Sequence, residues 1–80
     1  MEYDWDLAKQ AVEILLRLRK QDRELLINCF DQLADQPFSM AQELSFELEG
    51  KPYHTITKSR FIVTFTLDHP IHMVHILSIE

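Results

Sequence analysis

Tyr3, Trp5 and Leu7 alternate with Glu2, Asp4 and Asp6, the two-residue period of a strand with one buried face. The period then changes. Ala8, Ala11, Val12, Leu15, Leu16 and Leu18 or Arg19 follow helical spacing, predicting a helix from about Leu7 or Ala8 to Lys20. Asp6 can cap it, because a carboxylate accepts from the exposed N–H groups of a first turn. Gln21-Asp22 interrupts the pattern, and Asp22 is the expected cap of a second helix with Leu26, Cys29, Phe30 and Leu33 on one face. Gln36-Pro37 ends it, since proline disfavours helical geometry in the residue before it. The short link between the helices predicts a hairpin.

Phe38 to Gln42 reads as a connector or a short helical turn. Leu44, Phe46 and Leu48 alternate with Ser45 and Glu47 as a strand with one wet face. Gly50-Lys51-Pro52 makes the turn, and Tyr53 to Thr57 is the next strand. The run Phe61 to Leu67 is the central strand by composition, and Asp68-His69-Pro70 turns the chain into a last strand from Ile71 to Ile79. The order is β-α-α-β-β-β, an α+β arrangement: a helix hairpin packed on one face of a twisted, antiparallel-rich sheet that includes the first strand. The other sheet face is left for chemistry or a partner.

Eighty residues suit one domain, residues 1–80, with a thin core: a chain of this size buries only about 60% of its unfolded surface. The 46% hydrophobic content supplies that core and excludes a disordered tail. A single cysteine, Cys29, excludes an intramolecular disulfide and suits a reducing compartment. The acidic start Met1-Glu2-Tyr3-Asp4 is unlike a secretory leader, and no apolar run approaches the ~20 residues of a membrane span. The expectation is a soluble, cytoplasmic protein with no membrane partner. A formal charge of −5 argues against nucleic-acid binding by phosphate neutralisation alone. Arg17, Arg19, Lys20 and Arg23 nevertheless gather half of the eight basic residues. They suit a solvated helix end, or a local patch for a phosphate or an acidic partner.

In this order of elements the chain resembles the RelE/ParE toxin superfamily of toxin–antitoxin pairs, over nearly its whole length. The matching residues are Ala11, Leu15 and Leu18, then Leu33-Ala34-Asp35-Gln36-Pro37-Phe38, Leu48-Glu49-Gly50, Tyr53, and Ile62-Val63-Thr64-Phe65-Thr66-Leu67-Asp68. The resemblance implies a RelE-like fold and a toxin of a type II pair, neutralised by an antitoxin protein. An amphipathic antitoxin helix or an added strand would cover the open groove or a sheet edge. The toxin would act on translation by cleaving mRNA at the ribosome, or on DNA gyrase through protein contact. A non-catalytic interaction domain on the same fold is the alternative. Oligomers through strand or helix packing are compatible with so thin a core.

The sequence departs from the family where the chemistry would sit. Family nucleases carry an arginine in the central strand, where this chain has Ile62; Arg60 lies two positions earlier. A shift of two keeps a strand residue on the same face, so Arg60, Ile62, Thr64 and Thr66 are expected on the groove side. The family's basic pair at the end of the last strand is replaced by Ser78-Ile79-Glu80. Cleaving RNA without a metal needs proton transfer and a cation for the phosphate. Lys58 and Arg60 are the candidate cations, and His54 and His75 the candidate proton carriers of a degenerate endoribonuclease site. With Tyr53 pointing inward, His54 would point outward.

No metal or cofactor is expected. His72 and His75 are three apart on a strand and face opposite sides, and His69 sits in the turn. Trp5 and Tyr3 read as core anchors of the first strand, and Phe30, Phe46, Phe61 and Phe65 as core. Nothing resembles a phosphate loop, a nucleophile elbow or a dinucleotide fingerprint.

Overall fold

The computed structural model describes residues 3–37 and 45–80. Glu2 of the first alternation, the connector from Phe38 to Gln42 and Leu44 lie outside the described residues. The elements run β1 (Asp4–Leu7), α1 (Lys9–Arg17), α2 (Lys20–Asp35), β2 (Ser45–Leu48), β3 (Lys51–Lys58), β4 (Phe61–Asp68) and β5 (Met73–Ile79). One five-stranded sheet has the order β1-β5-β4-β3-β2, in which β1 pairs parallel with β5 and every other pair is antiparallel. The expected α+β fold is the observed one, with the first strand at a sheet edge.

The helices begin and end elsewhere than their polar residues suggest. Ala8, with extended backbone, precedes α1 and provides no side-chain cap; Asp6 stays in β1. The break between the helices falls at Leu18 and Arg19, both extended, so α2 starts at Lys20 and Asp22 lies inside its first turn. No glycine or proline marks that break. Arg23 reaches back to donate to the Leu18 carbonyl, giving one of the unpaired acceptors at the end of α1 a partner.

Ala11 and Leu15 of α1 and Leu26, Cys29, Phe30 and Leu33 of α2 meet Ile56, Phe61, Val63, Phe65, Val74, Ile76 and Ile79 of the sheet in one buried layer. Val12 and Leu16, also on the helical apolar pattern, remain exposed. Trp5 packs against Phe30, ring centroids 5.2 Å apart, and its indole N–H donates to Asp31 at 2.9 Å. Backbone bonds fix β1 at both ends: the Tyr3 N–H donates to the Ala34 carbonyl at 3.0 Å, and the Ala8 N–H to the Ile76 carbonyl at 2.8 Å.

Two tight turns set the register of the sheet. Leu48 pairs with Lys51, so Glu49 and Gly50 alone form the β2–β3 turn, both with positive φ (52° and 79°). That is the I′ pattern, whose twist suits a two-residue hairpin. The turn is therefore one residue earlier than Gly50-Lys51-Pro52, and Lys51 and Pro52 already belong to β3. Ser59 (φ 57°) and Arg60 link β3 to β4, pairing Lys58 with Phe61. A bulge shifts the register of β4 against β5 between Thr64 and Phe65: Thr64 faces Ser78, Phe65 faces Ile76, and Leu77 is the extra residue.

Candidate functional site

The open face of the sheet, away from the helices, is built by this register. Phe61, Val63 and Phe65 are buried under the helices, so Ile62, Thr64, Thr66 and Asp68 point the other way. Pairing carries the same face outward: Thr66 lies opposite His75, Asp6 opposite His75 from the far side, and Asp4 opposite Met73. On the other flank, Phe46 lies opposite Tyr53, and Leu48 opposite Lys51. A cleft of about 480 Å³ opens here, lined by Lys51, Tyr53, Thr66, Asp68, His75 and Leu77 among others.

His75 is the most constrained group in the cleft. Its Nδ1 lies 2.8 Å from Asp6 Oδ1, and its Nε2 lies 3.5 Å from Asp68 Oδ2. The hydrogen bond to the Asp6 carboxylate is the main cause of a pKa raised above the imidazole's 6.5; partial burial opposes it, and Asp68 adds to it. With each ring nitrogen turned towards a carboxylate, the protonated form of the imidazole is the one this site stabilises.

The other named candidates lie elsewhere. His54 pairs with Phe65 and sits on the helix side of the sheet, its ring 5.4 Å from the Phe65 ring. Tyr53, not His54, takes the open face, where it stacks on Phe46 at 5.5 Å with an interplanar angle of 13°. Lys58 pairs with Phe61 on the helix side. Arg60 departs from strand alternation because it occupies the turn. Its guanidinium lies 4.6 Å from the Phe61 ring centroid and bonds Asp22 of α2 at 2.7 Å. Of Arg60, Lys58, His54 and His75, only His75 lies in the cleft, and the structure does not bring the four together.

The sequence reading missed Lys51, Tyr53, Phe46 and Asp6 as neighbours of the cleft. The signal for the first three was the Glu49-Gly50 pair: as a two-residue turn it makes Phe46 the partner of Tyr53. Phe46 and Leu48, expected to be buried, are 45% and 55% exposed. His69 and His72 both meet Tyr3: the His69 Nδ1 is 2.7 Å from the Tyr3 hydroxyl, and the His72 ring stacks on the Tyr3 ring at 5.0 Å. Among the described residues no cluster of His, Cys, Asp or Glu is arranged to hold a metal ion. Among the described residues no helix is long and apolar enough to cross a membrane.

No family model matches the sequence, and no curated protein matches it significantly. Solved structures do match. A chain of the archaeal RelE–RelB complex from Pyrococcus horikoshii superposes with a TM-score of 0.82 at 20% identity, covering 100% of this chain and 94% of that one. A chain of the RelBE2 toxin–antitoxin complex of Mycobacterium tuberculosis gives 0.81 at 17% identity, covering 100% and 98%. The isolated E. coli RelE toxin gives 0.77 at 18% identity, covering 96% and 81%. The fold is that of RelE. This RelE-like chain carries, at the margin of its open face, the exposed Ile62 in a mutual backbone pair with Glu80 (2.8 and 2.9 Å). Lys51 lines the cleft together with Asp68 and His75.

Proposed function

We propose that this chain is the toxin member of a type II toxin–antitoxin pair, held inactive by an antitoxin protein and acting in the cytoplasm by contact with a protein target. The observation that carries the reading is the match, over all or nearly all of the chain, to RelE in isolation and to chains of two toxin–antitoxin complexes. The open face supports this mode of action. Phosphoryl chemistry on RNA depends on cations placed around an anionic transition state. Here Arg60 is engaged by Asp22, Lys58 is on the helix side, and His75 is committed to Asp6 and Asp68. A face with this balance of charge favours a protein surface over a phosphate backbone.

The test is growth of a bacterial host after tightly controlled induction of the chain, beside Arg60→Ala and His75→Ala. Arrest by the wild type and both variants, with cellular mRNA intact, is the expected result. Arrest relieved by co-expression of a small protein encoded beside the gene would identify the antitoxin. Soluble protein without arrest would overturn the toxin reading in favour of an interaction domain. Arrest abolished by His75→Ala, with cleaved mRNA in the wild type, would overturn the contact mechanism in favour of a nuclease.

A further inference from the structure

The open face has two distinct halves. On the β2–β3 side, Phe46 and Leu48 are 45% and 55% exposed, Tyr53 stacks on Phe46, and Ile62 on neighbouring β4 is 45% exposed. Towards β1 and β5 stand four carboxylates, Asp4, Asp6, Asp68 at the end of β4 and, opposite Ile62, Glu80, which outnumber the cations Lys51 and His75 beside them. The cleft of His75, Thr66 and Leu77 lies between them. Large apolar groups left in water beside a row of carboxylates mark a surface that gains from being covered, and the charge says by what.

We propose that this face docks a basic amphipathic protein segment, its apolar side chains on Phe46, Leu48, Tyr53 and Ile62 and its lysines or arginines over Asp4, Asp6 and Asp68. The inference deepens the toxin–antitoxin reading, on which it rests only for the segment's source: the antitoxin. An acidic segment or an RNA strand would bring further negative charge against the carboxylates. A cationic one pairs with them, and the aromatic pair supplies the flat, rigid contact area typical of interface anchors. Neither half alone selects a ligand. Together they require apolar and cationic residues side by side in one segment.

The test is fluorescence anisotropy with the full chain and three labelled probes: an amphipathic leucine–lysine peptide, its leucine–glutamate counterpart, and a single-stranded RNA oligonucleotide. The leucine–lysine peptide should bind and the other two should not. Phe46→Ser should weaken it about tenfold through lost apolar contact, and Asp68→Asn about threefold through a partly exposed charge. Glu13→Gln, an identical change of net charge on exposed α1, should leave it unchanged. Equal weakening by Glu13→Gln and Asp68→Asn would mean general attraction to an acidic protein and would overturn the proposal. So would preference for the acidic peptide or the RNA, or dimerisation of the chain that Phe46→Ser abolishes. Peptide binding and growth arrest are read independently, so failure of the docking surface is distinguishable from failure of the toxin reading.

Discussion

Asp6→Asn should destabilise the protein in acid and spare it in alkali. Asparagine keeps the size of Asp6 and can still accept from His75 Nδ1, so the substitution removes the charge and little else. The direction follows from the raised pKa of His75. A group whose folded pKa lies above its unfolded value contributes stability that is fully present below the unfolded value of 6.5. That contribution is lost as pH rises through the folded value. At 2.8 Å the pair is close, but the Asp6 and His75 side chains are 52% and 33% exposed, so solvent screens most of the Coulomb attraction. An exposed pair of this kind contributes about 0.7 kcal/mol. For 80 residues, with an unfolding entropy of about 2 cal/mol/K per residue, that is a Tm lower by about 4 °C. Thermal melts followed by circular dichroism at about pH 5.5 and pH 9, either side of the imidazole's ordinary range, should show the loss at the lower pH and almost none at the higher. Proton NMR should show the His75 titration moving towards 6.5 in the variant. An equal fall in Tm at both pH values, or an unmoved titration, would refute the reasoning and leave Asp6 as an edge-strand residue with no electrostatic partnership.

Glu49→Asn should stabilise the protein by about 0.5–1 kcal/mol, because Glu49 holds φ 52° in a turn where asparagine before glycine is favoured; chemical denaturation at neutral pH measures it, and any loss of stability would count against the turn assignment. Arg60→Ala should cost about 1 kcal/mol, since it leaves the largely covered Asp22 carboxylate unpaired and uncovers the Phe61 ring. A double-mutant cycle with Asp22→Asn should return a coupling of similar size, and additive effects would sink the pair. Phe30→Ala should cost about 3–5 kcal/mol, because the ring is fully buried against Trp5. Against the about 4–12 kcal/mol available to a domain of this length that is a quarter of the stability or more; the melt should fall by about 20–30 °C, and an unshifted melt would contradict the core assignment.

The parts legible in the sequence are those with binary contrast. In β4, Phe61, Val63 and Phe65 alternate with Ile62, Thr64 and Thr66, and β-branched and aromatic residues fit only a strand; the buried face follows directly. In β3 the contrast fails. Tyr53, His54, Thr55, Ile56 and Thr57 put an amphipathic residue on each parity, and the choice between Tyr53 and His54 falls to turn geometry. Reading Ser59-Arg60 as a two-residue turn pairs Lys58 with Phe61, Ile56 with Val63 and His54 with Phe65, which puts His54 inside. The helix break at Leu18-Arg19 was illegible for a different reason: good helix formers run through it, and no glycine or proline marks the extended pair. Asp6 and His75 meet through the parallel pairing of β1 with β5, and no local pattern announces a contact between residues 69 positions apart.

Strand alternation also explains how a fold can be shared at 17–20% identity. The inner face accepts apolar residues of suitable volume, and such exchanges leave the backbone path intact. The open face is under less packing constraint, because Ile62, Thr64 and Thr66 lie on the side away from the helices. Substitutions there change the surface and leave the core as it was. The backbone pairing of Ile62 with Glu80 secures the end of β5 whatever side chains those positions bear. A RelE-like backbone is therefore compatible with widely different side chains on its open face. What then determines the activity of such a chain is the pattern it leaves exposed: here an apolar half with stacked aromatics, an acidic half, and an imidazole tied between two carboxylates.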